Sequence, residues 1–539
     1  MAEAEVRFSN PEARQVLVQV LVPPDLQEAS RLIIHDLPMM VEGTVLRMGG
    51  IGGVQTVPQL RRQGYARQML SSAVQYMREN DYDVSVLFGI HNFYHRFGFV
   101  TSLIESRITV PTRLAENAAG SRINATASAE VNTTTGAGAD ATALLSIRPY
   151  DPERDLDAVL RLYVAKNAHR VGPLLRSPDR WWGFRLGSTW GRQTDVFVAV
   201  REKPNEKENG KGEELVGYFL LDRADEEVTV PEVEAVDAAT LEAILAHLAR
   251  LAVERRVDHL TFHIHPDADM ARLLRFYGSE VTVTYSFDRG PMARIINLES
   301  TLRKLLPVLN RRLAQGAAAP GAAAARADAT AGAAGATGVD ATAPATPTAS
   351  GVTPATAATP SAVKAGDVPG VGAGTEPQGR FSGERFELGL VIWDANSARP
   401  DLSSPGAGAH WQAVRLRFGL TGTPDSSRWA APAIVIEEVE AAGSGIQAAQ
   451  DTSGPAPAAE ASLPPSSVER VVHRLVQEGV AAVSLPQELF TQLLLGYRSV
   501  DEVFEAKAVR ITETPAAVRE LFALLFPPRQ PYLPRADRF

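Results

Sequence analysis

The chain of 539 residues contains no cysteine. A protein without cysteine has no disulfides, no thiolate metal site and no cysteine nucleophile. Basic residues are also in the minority, with 54 lysines and arginines against 63 acidic residues and a formal net charge of −9. This balance does not favour nucleic-acid binding, and a mildly acidic surface suits a cationic substrate.

Long hydrophobic runs are absent too. No apolar stretch has the length of a membrane span, and the first ten residues, MAEAEVRFSN, are polar and acidic. We therefore expect no membrane span and a cytoplasmic protein. Aromatic residues are missing from 115–143 and from 314–379, where small residues predominate. Because such segments cannot bury a core, we predict a linker at 115–144 and disordered insertions at 314–379 and 441–465.

The clearest pattern lies between Val54 and Phe99. The strand-like run GGVQTV is followed by the basic turn Arg61-Arg62-Gln63-Gly64. Apolar residues then recur with the spacing of one helix face: Ala66, Met69, Leu70, Ala73, Val74 and Met77. The apolar run Val84–Phe88 has the length of a buried strand. The stretch therefore predicts a strand, a basic turn, a helix and a second strand.

Such a turn is suited to a pyrophosphate group. The helix start presents unsatisfied N–H groups and the positive end of the helix dipole beside two arginines. Gly64 allows the main chain to approach a phosphate without an intervening side chain. An ordinary basic helix start has the same composition, so the turn alone leaves both interpretations open.

Two motifs in this stretch resemble a known family. Arg61-x-x-Gly64-x-Ala66 after a strand is similar to the coenzyme A pyrophosphate loop of the GCN5-related N-acetyltransferases (GNAT). The segment Phe93-Tyr94-His95-Arg96-Phe97-Gly98-Phe99 resembles the Tyr-x-Arg-Phe-Gly-(Tyr/Phe) segment of the Eis-type (enhanced intracellular survival) branch. The resemblance implies acetyl-CoA as cosubstrate, with no metal. It places coenzyme contacts on Val54, Gln55, Thr56, Arg62, Gln63, Gly64, Tyr65, Ala66, Arg67, Gly89 and Ile90.

The resemblance also suggests an acid and a base. It implies that Tyr94 is the general acid, and a phenol can give its proton to a departing thiolate. It implies that the C-terminal carboxylate, here that of Phe539, is the general base. An α-carboxyl has a pKa of about 3.3–3.7 and would need burial or a relaying water to act on an ammonium group. His91 and His95 are alternative bases.

The resemblance extends over most of the chain. It implies an α/β (α+β) fold: tandem GNAT units with a mixed central sheet, then a sterol-carrier-protein-2-like domain. We expect an N-terminal acetyltransferase domain at 1–114, a degenerate second copy at 145–294 and the sterol-carrier-like domain at 295–539. In the second copy Glu234-Ala235-Val236-Asp237 replaces the basic glycine turn, so we expect no phosphate site there. The first unit looks shortened, without the helix pair that forms one wall of the acceptor cleft.

Two histidines of the second unit, His263 and His265, lie two residues apart on a predicted strand. They predict either an exposed strand face or, less readily, part of a metal site. We predict no metal.

The sequence thus predicts an acetyl-CoA-dependent N-acetyltransferase. Its acceptor would be a primary amine on an aminoglycoside-like polycation, a polyamine or a lysine side chain. Family members form ring-like oligomers, so the resemblance implies a homo-oligomer, often a hexamer. The alternative is a catalytically weak module that binds coenzyme A or lipid.

Overall fold

The computed structural model describes residues 4–10, 14–118, 145–178, 181, 183–184, 187–188, 191–202, 213–224, 226–318, 386–394, 411–420, 432–441, 466–512 and 515–539. Residues 1–313 and 385–539 form one compact body, and residues 314–384 form a separate body, of which only the end of a helix is described. Most of the predicted linker and of both predicted insertions lies outside the described residues.

The described strands are β1 (Glu5–Ser9), β2 (Gln15–Val22), β3 (Gln27–Val41), β4 (Thr44–Thr56), β5 (Val84–Gly89), β6 (Val100–Thr101), β7 (Glu105–Pro111), β8 (Leu145–Pro149), β9 (Val171–Leu174), β10 (Thr194–Glu202), β11 (Glu213–Asp222), β12 (Val228–Val230), β13 (Val233–Ala235), β14 (His259–Phe262), β15 (Glu280–Thr284), β16 (Gly290–Ile295), β17 (Phe386–Trp393), β18 (Trp411–Leu420), β19 (Pro432–Ala441), β20 (Ala481–Pro486) and β21 (Arg510–Ile511).

The described α-helices are α1 (Tyr65–Glu79), α2 (Thr112–Ala115), α3 (Pro152–Asn167), α4 (Ala238–Glu254), α5 (Asp269–Leu274), α6 (Leu298–Ala318), α7 (Ser466–Gln477), α8 (Gln487–Leu494), α9 (Val500–Phe504) and α10 (Pro515–Leu525). Short 3-10 helices span Pro58–Leu60, Tyr94–Phe97, Arg275–Tyr277 and Arg535–Asp537.

The largest sheet carries the unit predicted between Val54 and Phe99. Its strand order is β1-β2-β3-β4-β5-β16-β6, and β9 pairs with β3. All neighbours are antiparallel except β4 and β5, which are parallel and are connected through α1. Helix α1 buries Met69, Leu70, Ala73, Val74 and Met77 against this sheet, as the apolar spacing predicted. The predicted α/β fold with a mixed sheet is confirmed.

The largest sheet and the sheet β12-β14-β7-β15 each contain a strand from the other part of the chain. Strand β7 lies within residues 1–114, the range expected for the first domain, but it is paired between β14 and β15 in the sheet β12-β14-β7-β15. Strand β16 returns in exchange and pairs with β5 and β6. The alternation that predicts a strand carries no information about its partner, so only the tertiary structure decides this pairing.

Two further sheets complete the compact unit. The sheet β13-β11-β10-β8 packs with α3 and α4, and the sheet β19-β18-β17-β20-β21 belongs to the C-terminal part of the chain. Helix α6 extends to Ala318, so the first residues of the predicted insertion 314–379 are helical. Among the described helices, none combines the length and the apolar character needed to cross a membrane.

Candidate active site

The parallel strands β4 and β5 separate before either of them ends. Their last paired residues are Ile51 and Leu87, although both strands continue beyond that pair. The register between β3 and β4 shifts between Arg31 and Ile33, and Gly53 has a left-handed φ of +61°. A bulge of this kind bends a strand away from its neighbour. An opening therefore lies between the ends of β4 and β5.

The residues Val54, Gln55 and Thr56 lie on the β4 side of this opening. One edge of the segment pairs with β3, where Ser30 Oγ donates to the carbonyl oxygen of Gln55 over 2.8 Å and lies 2.9 Å from Thr56 Oγ1. The other edge faces the space from which β5 has departed. A ligand with amide groups could pair with that free edge as an added strand would.

The basic turn leads from β4 into the start of α1. Arg62 and Gly64 both have left-handed backbone conformations, with φ of +64° and +90°. Gly64 is the N-cap residue and provides no side-chain cap. The N–H groups of the first helical turn, formed by Tyr65, Ala66 and Arg67, therefore have no intrahelical acceptor. Arg61, Arg62 and Gln63 are exposed beside them, so the turn can hold an anion.

Tyr94 lies at the end of β5, on the other side of the opening. It begins a 3-10 helix, and its ring lies so close to Gly89 that a Cβ there would be 3.2 Å from Tyr94 Cδ2. The Tyr94 side chain is 7% exposed and packs edge-on against Phe93, with ring centroids 4.9 Å apart. Ile90, in contrast, is 64% exposed.

The Tyr94 hydroxyl makes no hydrogen bond to another residue that the structure describes. Burial raises the pKa of Tyr94 above its usual value. The phenol is therefore protonated at neutral pH, and its proton is available to a ligand.

Phe539 lies on the β4 side of the same opening. A Cβ on Gly50 would be 2.7 Å from the Phe539 ring, and a Cβ on Gly52 would be 3.4 Å from the Phe539 main-chain carbon and oxygen. The ring also contacts Phe88, with centroids 6.0 Å apart. Gly52 immediately follows Ile51, the last β4 residue paired with β5. The carboxyl group of Phe539 is thus placed where the two strands separate.

His35 of β3 is a residue of this site that the sequence did not indicate. Its ring centroid is 5.6 Å from that of Phe539, and its Nε2 would be 3.2 Å from a Cβ on Gly52. Burial lowers the pKa of His35 to about 4. The imidazole is therefore neutral at neutral pH. One histidine within an apolar strand has no distinguishing sequence signal.

The alternative bases, His91 and His95, have an acidic partner. Their Nδ1 atoms lie 3.7 Å and 3.0 Å from the carboxylate of Asp288, which also accepts a hydrogen bond from the Asn92 N–H over 2.7 Å. Asp288 therefore links the turn after β5 to the segment that precedes β16.

A buried ion pair supports the Tyr94 segment from behind. Arg294 of β16 donates to the carbonyl oxygen of Phe97 and to Asp394, the latter over 3.0 Å. Gln492 of α8 donates to the carbonyl oxygen of Thr101 over 2.8 Å. Asp394 follows β17 and Gln492 follows β20, so the C-terminal part of the chain helps to fix the backbone on which Tyr94 lies.

The two histidines of the second unit, His263 and His265, do not lie on an exposed strand face. His263 is half-buried, with Nδ1 3.3 Å from the carbonyl oxygen of Ser106, and His265 is buried, with Nε2 2.7 Å from the carbonyl oxygen of Gln530. The prediction of an exposed strand face was therefore wrong. Among the residues that the structure describes, no group of three or more acidic or histidine side chains is arranged for a metal ion.

Comparisons with known proteins agree with this geometry. Residues 24–101 match the family model described as an acetyltransferase (GNAT) domain. The matched range contains β4, the basic turn, α1, β5 and Tyr94, which are the elements that form the opening. This part of the chain is therefore similar to a GNAT acetyltransferase domain, and the similarity supports an acyltransferase. A comparison with curated protein sequences finds no significant match.

Solved structures match over nearly the whole chain. A conserved protein from Enterococcus faecalis V583, described as a probable N-acyltransferase, aligns with a TM-score of 0.55 and 12% identity and covers 99% of both chains. A GCN5-related N-acetyltransferase from Kribbella flavida aligns with a TM-score of 0.50 and 13% identity over 96% of this chain and 87% of that chain. One from Anabaena variabilis aligns with a TM-score of 0.50 and 13% identity over 98% and 90%. At these identities the likeness concerns the fold.

Proposed function

We propose that this protein is an Eis-type N-acetyltransferase that transfers an acetyl group from acetyl-CoA to a primary amine. The acceptor class is an aminoglycoside-like polycation, a polyamine or a lysine side chain. The observation that carries the proposal is the position of the Phe539 carboxyl group beside Gly52, at the point where β4 and β5 separate.

The coenzyme is proposed to follow β4. Its pyrophosphate would bind the N–H groups at the start of α1, with Arg61 and Arg62 neutralising charge. Its pantetheine arm would pair with the free edge of Val54–Thr56, and Gly89 and Ile90 would contact it from the β5 side. The thioester would then lie in the opening, where positioning next to an amine supplies much of the rate.

Tyr94 and Phe539 are proposed as acid and base. The Phe539 carboxylate would accept a proton from the ammonium group, so that the amine can attack the thioester carbonyl carbon. The carbon–sulfur bond then breaks, and Tyr94 would donate its proton to the departing thiolate. The nitrogen would lose its second proton to water as the amide forms. The neutral imidazole of His35 could relay the first proton, because it lies on the same side of the opening.

Residues 295–539 are proposed to form a sterol-carrier-like domain whose role here is to close the active site. Two contacts from these residues support that role: Asp394 pairs with Arg294, which donates to the Phe97 carbonyl, and Gln492 donates to the Thr101 carbonyl. A cytoplasmic homo-oligomer, hexameric by family resemblance, is part of the same proposal. Sedimentation at several concentrations tests the oligomer.

One observation favours the alternative, a coenzyme- or lipid-binding module with little turnover. Residues 10–14 alone connect β1 to β2, so the helix pair that lines one wall of the acceptor cleft in related enzymes has no place between them. A cleft with one wall reduced would hold an amine less well without affecting coenzyme binding.

The deciding experiment measures thiol release from acetyl-CoA with an aminoglycoside, a polyamine and a lysine peptide. Turnover should fall about 10²–10⁴-fold in Tyr94→Phe, in keeping with the usual contribution of a general acid. Deletion of Phe539 should lower it in the same way, with acetyl-CoA affinity unchanged in both variants. Tyr76→Phe is the matched control, because Tyr76 is a half-buried tyrosine of α1 whose ring stacks on Phe8.

Two results would reject parts of this proposal. Full activity of folded Tyr94→Phe would show that Tyr94 is not the general acid. Acetyl-CoA binding without turnover of any amine, and without slow hydrolysis of the thioester, favours the binding module.

A further inference from the structure

The second unit contains an opening of the same kind as the first. Strands β12 and β14 are parallel, and their last paired residues are Val230 and Phe262. The chain then departs from β14, because β13 pairs with β11 instead. Helix α4 connects the two sides, as α1 connects β4 to β5. Residues 231–234 and 263–265 thus face each other across a gap.

The C-terminal segment of the chain fills this gap. His265 Nε2 faces the carbonyl oxygen of Gln530 at 2.7 Å, and because a carbonyl only accepts, Nε2 carries the proton. Tyr532 donates its hydroxyl to the carbonyl oxygen of His263 over 2.6 Å and its N–H to that of Val171 over 2.9 Å. What remains is a cavity of about 20 Å³, which has room for one water molecule and no coenzyme arm.

The start of α4 excludes a phosphate as well. Asp237 is the N-cap residue, and its carboxylate accepts from the Thr240 N–H over 2.8 Å. Arg201 pairs with the same carboxylate over 2.8 Å. A negative charge therefore occupies the position that Gly64 leaves open at α1. In the second unit, the C-terminal segment of the chain thus occupies the opening that corresponds to the proposed coenzyme site of the first unit.

The strongest contacts to this segment converge on Asp537, which is fully buried. Its carboxylate accepts from Arg176 Nε over 2.7 Å, from the Tyr163 hydroxyl over 2.6 Å and from the Leu174 N–H over 3.2 Å. Arg176 is itself held by both carboxylate oxygens of Glu232, at 2.7 Å and 2.6 Å.

Asp537 and Phe539 are separated only by Arg538, which is fixed in turn. Its guanidinium donates to Glu105 over 2.9 Å and lies 4.6 Å from the centroid of the Phe88 ring. A displacement of Asp537 would therefore move the Phe539 carboxyl group away from Gly52.

We propose that the second unit is a receptor for residues 530–537, and that Asp537, Arg176 and Tyr163 are positioning residues that hold the Phe539 carboxyl group in the first opening. The inference rests on the proposed function for its catalytic consequence, though not for the docking itself. It gives the second unit a role in the reaction without a coenzyme site of its own.

The test compares full-length variants in which one contact to the segment is removed. Tyr163→Phe removes a hydroxyl that reaches Asp537, and Asp537→Asn removes the charge. The matched control is Tyr218→Phe, because Tyr218 is equally buried and its hydroxyl donates to Glu232 over 2.8 Å rather than to Asp537. The measurements are the rate at which a carboxypeptidase releases Phe539 from the folded protein, the kcat for acetyl-CoA with spermidine, and the KM for acetyl-CoA.

Loss of a charge-assisted hydrogen bond should accelerate release of Phe539 by about tenfold or more in both test variants. The kcat should fall by a similar factor while the KM for acetyl-CoA stays within about twofold, since the coenzyme turn is not touched. Tyr218→Phe should leave all three values near those of the unaltered protein.

Unchanged release of Phe539 in folded Tyr163→Phe and Asp537→Asn overturns the proposal. Tyr163→Phe alone decides the question if Asp537→Asn does not fold. Faster release with an unchanged kcat retains the docking and rejects the catalytic role of the Phe539 carboxyl group, so the two failures are distinguishable.

Discussion

The ring of Phe539 lies directly on the main chain of Gly50, although 488 residues (539 − 51) separate them along the chain. A Cβ at position 50 would come within 2.7 Å of the Phe539 ring, which is closer than real carbon atoms approach. The contact joins the end of the chain to the strand that is expected to bind the coenzyme.

This contact predicts the effect of Gly50→Ala. The added methyl group should displace the Phe539 ring and cost about 1–3 kcal/mol in the free energy of unfolding, as overpacking does. The kcat should fall with little change in acetyl-CoA affinity. Chemical denaturation and steady-state kinetics measure both effects. The cost should be smaller in a Phe539→Ala background, where the ring is absent, and an equal cost in both backgrounds would show that the ring is not what the methyl group meets.

The basic turn predicts a loss of coenzyme affinity in Arg62→Ala. Arg62 is exposed beside the uncapped start of α1, so its removal should raise the Kd for acetyl-CoA by about tenfold at low salt and by less at high salt. Titration calorimetry at two ionic strengths measures this change. Arg250→Ala, on the exposed side of α4, is the control. Equal effects of the two substitutions would argue against a phosphate site at the turn.

Two histidines with lowered pKa values, His35 and His263, predict a loss of stability in acid. Burial lowers the pKa of both His35 and His263 to about 4, against a usual value of 6.5. Between these pH values the unfolded chain binds protons that the folded chain does not, so stability is complete above pH 6.5 and is lost as the pH falls toward 4.

Denaturation across this pH range in His263→Asn should show a shallower decline than in the unaltered protein. The slope of the free energy of unfolding against pH should differ between the two proteins by up to about 1.4 kcal/mol per pH unit, which corresponds to one proton. His473→Asn, on the exposed side of α7, should follow the unaltered protein. A decline as steep in His263→Asn as in the unaltered protein would contradict the assignment.

The ion pair between Arg294 and Asp394 predicts that Asp394→Asn is strongly destabilising. Arg294 and Asp394 are both nearly inaccessible to solvent. Burial and the nearby charge of Arg294 lower the pKa of Arg78 to about 10, so loss of the carboxylate leaves two buried cations together. We expect a cost of about 3–5 kcal/mol in the free energy of unfolding. Replacing Arg294 and Asp394 together by Met and Leu should cost less, and an additive loss would contradict a paired role.

Much of the local structure could be predicted from the sequence. The apolar spacing in 66–77 predicted α1, and the basic glycine turn predicted an uncapped helix start, which is confirmed by Gly64 at the N-cap position. In the second unit, residues 234–237 replace this turn, and the sequence therefore predicted no phosphate site there. The structure agrees, because the Asp237 side chain caps the start of α4. These are properties of neighbours in sequence, which local chemistry controls.

The partners of distant segments could not be predicted in this way. The alternating burial along β7 does not show that this strand pairs with β14 and β15. The predicted exposed face of His263 and His265 is in fact covered by residues 530–532. His35 and Asp537 have no sequence signal at all, because each depends on what packs against it.

The sequence by itself thus determined the class of the first unit, its basic turn and the tyrosine segment, since these depend on spacing within a few tens of residues. The tertiary structure alone decided that the C-terminal segment crosses the opening of the second unit and reaches Gly50 in the first. The physical reason is that burial of Asp537, Tyr532 and the Phe539 ring stabilises the segment only when all the surrounding strands are in place.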